Sequence, residues 1–189
     1  MPIKTHLLNS TSHYGYISIV LHWLMAFVLI GMYVVGNYMV DLDYYDTWYH
    51  QAPALHKATG IILGFALVFR IIWNYTQKKP ASFEKKPILM TVAKLGHLAL
   101  YLFIISLTIS GYLISTAKGQ GINILDLFKF PALLPDNPNR GEIAGDIHEI
   151  IGLAFILMVA LHATAALTHH FIFKNRTLKR MLWVKTTSK

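Results

Sequence analysis

Four histidines, His22, His56, His148 and His162, sit inside stretches of chain that otherwise almost exclude charge. An ionisable side chain in an apolar span is costly, normally faces other helices rather than lipid, and marks a functional position by default. A neutral imidazole offers a nitrogen lone pair to a metal, and two imidazoles on facing helices can supply both axial bonds of an iron atom held in a bundle core. His148 and His162 lie fourteen residues apart, which on an α-helix is about 21 Å of rise and a return to within about 40° of the same face. One helix would therefore present two imidazoles inward at two depths.

The elements that must carry these residues are legible in the composition. Of 189 residues, 54% are hydrophobic and 14% charged, whereas soluble domains have about a quarter charged residues. The apolar residues gather into four runs, at about 16–40, 53–75, 95–117 and 147–173, and about 20 such residues suffice for one helical crossing. The sequence thus predicts an all-α integral membrane protein, a single domain over residues 1–189 built as a four-helix bundle. The first run is too long for a signal peptide and lacks a small-residue cleavage site, so it reads as a retained helix. Residues 77–87 form a Lys/Pro-rich linker, and residues 118–146, punctuated by Pro and Gly, read as a long external loop. There is no cysteine, which excludes disulfides, iron–sulfur clusters and covalently attached c-type haem.

Charge sets the orientation. With four spans, the N-terminus, the linker and the C-terminal tail share one side. That side holds Lys4, Arg70, Lys78, Lys79, Lys85, Lys86, Lys94, Lys174, Arg176, Lys179, Arg180, Lys185 and Lys189, whereas only Lys57, Lys118, Lys129 and Arg140 lie on the other. Basic residues near span ends resist translocation, so both termini are expected in the cytoplasm. The net charge of +8 then meets anionic lipid at the inner leaflet, the tail being a lipid-facing basic segment. Nucleic acid is not an expected partner, because no soluble basic domain is present.

In this topology His56 on the second helix matches His148 in depth near the outer face, and His22 on the first matches His162 nearer the inner face. Two such pairs would hold two b-type haems across the membrane. Gly60 follows His56, and Gly152 follows His148, at i+4 on the same helix face, leaving room for a flat ring; Gly64 extends that stripe. Other readings stand beside this one. A membrane histidine also serves as an interhelical hydrogen-bonding group, and small residues four apart serve helix packing. Zinc is the rival metal, but it usually takes three grouped protein ligands, and no H-E-x-x-H is present.

The segments IVLHWLMAF, ALHKATGIILGFALVFRIIW, KLGHLALYLFIISLTISGYLI and IHEIIGLAFILMVALHATAALTHHFIFKNRTLKRML together resemble the bacterial cytochrome b561 family, which is similar to the di-haem cytochrome b subunits of nickel–iron hydrogenases and formate dehydrogenases. The resemblance covers the chain apart from its first dozen residues and the external loops. It implies two bis-histidine haems b with His22, His56, His148 and His162 as axial ligands to iron. It also implies electron transfer between a periplasmic donor or acceptor and the quinone pool, ubiquinone or another quinone. Some relatives are superoxide oxidases that reduce ubiquinone. In the family the histidine-rich turn, here His169, lies near the quinone end.

Further residues invite a role. His97, at the start of the third run, fits a quinone carbonyl, a haem propionate or a backbone bond. Arg70 and Lys57 fit propionates of the inner and outer haem, or lipid phosphate. The external segment 41–50, acidic and aromatic, fits an interfacial belt or a docking face for a periplasmic redox partner. The leading expectation is a di-haem electron carrier with its enzymatic status open. Its rivals are a non-catalytic haem-bearing anchor relaying electrons for a partner protein, and a haem-free protein handling metal or protons.

Overall fold

The computed structural model describes residues 7–84 and 86–182; Lys4, Lys85, Lys185 and Lys189, counted above, lie outside the described residues. In chain order the elements are α1 (Tyr16–Val40), α2 (Gln51–Thr76), α3 (Pro87–Ser115), β1 (Ile122–Ile124), β2 (Phe128–Phe130), α4 (Pro138–Phe171) and α5 (Thr177–Leu182). The first four long helices, α1 to α4, are each long and apolar enough to cross a membrane, so the architecture is a membrane-spanning helical bundle.

Two helices begin earlier than the apolar runs indicate. α3 starts at Pro87, and α4 starts at Pro138 behind Asn137, whose side chain accepts from the Arg140 backbone N–H. Proline suits the first helical position because its missing N–H has no partner there, and asparagine is a good cap for the turn. The added turns carry Lys94, Arg140, Glu142 and Asp146, which hide them from a reading based on hydropathy. At 34 residues, α4 is about 51 Å long, against a hydrocarbon core of about 30 Å, so it is long enough to extend past the apolar core. His148 therefore lies ten residues into α4 rather than at its start, and His97 likewise lies ten residues into α3.

Sequence neighbours pack side by side, α1 on α2, α2 on α3 and most extensively α3 on α4, whereas α1 meets α4 sparsely. The bundle is thus a ring with one loose seam. At mid-height each helix contributes one buried residue to a shared layer: Met25 from α1, Leu67 from α2, Ile104 from α3 and Phe155 from α4. Phe155 is midway between His148 and His162, about 10 Å of helix from each.

At the end of the bundle expected to face outward, residues 118–137 hold more structure than a loop requires. β1 and β2 pair antiparallel with Ile122 opposite Phe130, and Ile122 and Ile124 pack with Ala58 and Ile61 of α2. The segment is pinned by the Tyr112 hydroxyl, which donates to Pro131 O (3.1 Å) and accepts from Leu133 N (2.7 Å). Arg140 adds bonds to the carbonyls of Pro135 and Thr116. At the opposite end, Asn9 Oδ1 accepts from Gly15 N and Ser18 Oγ, and Trp73 Nε1 donates to Ser18 Oγ. Trp23 Nε1 donates to Met181 O (2.6 Å), and the Arg180 guanidinium stacks over Phe83 while donating to Ala81 O. The linker, the segment before α1 and α5 are thereby tied into one cap.

Candidate functional site

The fold brings the four intramembrane histidines together in twos. His22 of α1 and His162 of α4 face each other across the loose seam with ring centres 6.4 Å apart and planes at 65°. His56 of α2 and His148 of α4 do so at 6.3 Å and 73°. A metal–imidazole nitrogen bond is about 2 Å, and the nitrogen lies about 1.1 Å from the centre of a ring built of such short bonds. Two imidazoles on opposite sides of one metal therefore have ring centres about 6.2 Å apart, close to both observed values. Direct contact brings rings closer, as for His97 and His162 at 5.2 Å. Among the described residues no three or more His, Cys, Asp or Glu side chains gather where they could hold a metal ion.

The outer pair is seated between glycines of the flanking helices. A Cβ on Gly36 of α1 would lie 3.2 Å from His56 Cε1, and one on Gly111 of α3 would lie 3.2 Å from His148 Cε1. Both are tighter than ordinary van der Waals contact, so each ring sits against bare backbone. The same-helix glycines divide. Gly152 has open space where a Cβ would be, and Gly60 has only Met32 Cε at 3.7 Å, which leaves room beside the imidazoles. Gly64 instead receives the Thr108 methyl, at 2.8 Å from a built Cβ, and serves the contact between α2 and α3. Behind the rings, His148 Nδ1 lies 2.8 Å from Ser110 Oγ, whereas His56 Nδ1 is buried with no hydrogen-bond partner among the described residues.

At the inner pair Arg70 turns into the bundle rather than toward lipid. Its Nη2 donates to His22 Nδ1 at 3.0 Å and its Nη1 reaches Leu21 O at 3.4 Å. A guanidinium can only donate, so His22 Nδ1 is an acceptor in this arrangement. His97 lies beside His162 at this level. His169 has local contacts at the end of α4: Asn175 Nδ2 donates to its Nδ1 at 2.9 Å, and Phe173 meets its ring edge to face. Lys57 is exposed and lines an outer cavity of about 560 Å³ with His50, Tyr49, Gln120 and Asn123. In the 41–50 segment Tyr44, Tyr49 and His50 stack edge to face on one another. The sequence reading missed Gly36, Gly111 and Ser110, whose roles depend on which helix stands behind each histidine.

A membrane-spanning bundle that pairs imidazoles across its helices has the form expected of a membrane cytochrome of b type. Residues 13–183 match the family described as prokaryotic cytochrome b561, and the chain belongs to that family, with electron transfer within a bacterial membrane as its business and haem b as the cofactor the family implies. It is 43% identical over 175 residues to cytochrome b561 homolog 2 of Escherichia coli (strain K12), covering 92% of this chain and 93% of that protein. It is 26% identical over 171 residues to the probable superoxide oxidase CybB of Yersinia pestis, covering 89% and 95%. Cytochrome b561 homolog 1 of Escherichia coli (strain K12) is 26% identical over 165 residues, covering 87% and 93%.

Proposed function

We propose that the protein is a single-domain di-haem cytochrome that moves electrons between the outer face of the inner membrane and the quinone pool, with His56 and His148 binding the outer haem and His22 and His162 the inner. The observation that carries this reading is the pair of ring separations, 6.3 and 6.4 Å, each suited to a metal shared by two imidazoles. Gly36 and Gly111 let the outer rings stand close to the backbone, while Gly60 and Gly152 leave space beside them. Haem iron held in this way supplies reversible one-electron chemistry, and burial together with hydrogen bonds behind the ligands sets its potential. An imidazole that binds metal through Nε2 keeps its proton on Nδ1, so Arg70 must leave His22 Nδ1 when the inner pair binds iron. The freed guanidinium then suits a carboxylate at the inner level.

Both termini are cytoplasmic in this reading, supported by the thirteen basic residues that the sequence assigns to their side of a four-span topology. Quinone is the membrane-soluble redox partner, and His169 is the candidate for its end of the path, supported by the family resemblance. Replacing each of the four histidines in turn by alanine tests the assignment. Each variant is expected to keep one haem, the outer for His22→Ala and His162→Ala, the inner for His56→Ala and His148→Ala. A variant that keeps both haems with unchanged spectra removes that residue from the ligand set.

A second reading, superoxide:ubiquinone oxidoreductase, is favoured by the outer cavity, where Lys57 supplies positive charge one residue from His56. Two superoxide anions would each give up one electron, and one quinone would take both with two protons. Quinol formation driven by a superoxide source, in proteoliposomes, separates this from a carrier that depends on a protein donor.

A further inference from the structure

The geometry points to Ser110 of α3 as the positioning residue that fixes which ring nitrogen of His148 is free to bind a metal. Ser110 is 4% exposed. Its Oγ lies 2.8 Å from Ser106 O, 3.3 Å from Leu107 O and 2.8 Å from His148 Nδ1. A hydroxyl has one proton and a carbonyl oxygen none. Without the Ser110 proton between them, Oγ and the Ser106 oxygen would face each other as bare lone pairs. That proton therefore goes to the carbonyl, and Oγ is left as an acceptor.

The contact with His148 must then run the other way, with Nδ1–H donating to Oγ. The neutral ring carries a single proton, so Nε2 is left bare and free to bind a metal. A serine back-bonded to the preceding turn of its own helix is a common local arrangement. Here it polarises the hydroxyl so that the relay from His148 through Ser110 to Ser106 runs in one direction. His56 has no such support, since its Nδ1 is buried without a partner among the described residues and faces the backbone at Gly36. The two imidazoles of the outer pair are thus unequal. His148 is anchored and oriented by a hydrogen bond, and His56 is placed by packing.

This inference rests on the reading that His148 binds the outer haem. Partners behind a metal-bound histidine typically govern metal affinity by about 10- to 100-fold. A hydrogen bond to Nδ1–H also increases electron donation to the metal, favouring its oxidised form. Ser110→Ala is therefore expected to weaken retention of the outer haem by about 10- to 100-fold. In the fraction that keeps it, the midpoint potential of that haem should rise while the inner haem's stays in place. Ser110→Thr retains the hydroxyl and is expected to restore both properties. The experiment is a potentiometric titration with haem quantitation on wild type, both variants and His148→Ala, in detergent. Ser110→Ala with the wild-type potential and haem content overturns the proposal, as does an equal defect in both Ser110 variants, which marks a packing role. Failure of the underlying ligand reading shows separately, as His148→Ala retaining both haems.

Discussion

Adding one methyl group behind His148 is a sharp perturbation of the outer pair. In Gly111→Ala the new Cβ would lie 3.2 Å from His148 Cε1 and 3.6 Å from Nδ1, so the ring must give by a few tenths of an ångström. It cannot do so freely, because the 2.8 Å bond to Ser110 holds Nδ1 and, in the proposed ligation, sharing a metal with His56 constrains the ring further. Overpacking of this kind costs about 1–3 kcal/mol. At 1.4 kcal/mol per factor of ten, a cost taken entirely by the ligated state lowers outer-haem affinity by about 5- to 150-fold. Gly36→Ala presses His56 Cε1 at the same 3.2 Å. This ring has no hydrogen bond to lose, so its loss of affinity should fall at the lower end of that range. The assay is haem titration into haem-depleted protein in detergent, followed at the Soret band, with thermal unfolding of the haem-depleted variants as the control. Wild-type affinity in both variants would refute the claim that these glycines seat the ligands.

Other outcomes follow from the same coordinates. His97→Ala should retain both haems, because its ring stands 5.2 Å from His162, too close for the two to bind opposite sides of one iron; haem quantitation decides. Arg70→Ala should retain the inner haem and lower its potential, since a nearby positive charge favours the reduced form, and Arg70→Lys should restore much of it in a redox titration. Phe155→Ala opens the layer between the histidine pairs and should cost about 3–5 kcal/mol, seen as a lower unfolding temperature with both ligand pairs intact. Because the chain has no native cysteine, single substitutions report topology cleanly. Lys129→Cys should react with an impermeant maleimide in intact cells, and Ser82→Cys only after lysis.

The bundle was readable from sequence because lipid imposes the simplest of patterns, long apolar runs interrupted by charge, and α1 lies where its run does. The true starts of α3 and α4 were not, since the Lys86-Pro87 and Asn137-Pro138 signals stand outside the apolar runs among charged turns. The hairpin at Ile122–Ile124 was missed because its residues read as punctuation within a Pro/Gly-rich stretch. At the site, spacing along the chain, read with the depths that a four-span topology gives, pairs His148 with His56 and His162 with His22, and the structure brings those rings together. It also picked out Gly152 and Gly60, which share a helix with a histidine. Gly36, Gly111 and Ser110 act across helices, so their relation to a ligand depends on packing angle and axial shift, neither of which is written in the spacing along one chain.

The paired histidines are tested most directly by the oxidised and dithionite-reduced absorbance spectra of detergent-purified protein together with a pyridine haemochrome assay for haem per chain. Two haems b per chain, both six-coordinate and low-spin, are the predicted result. A folded preparation that binds no haem, or one whose haems are five-coordinate and high-spin, would contradict the account.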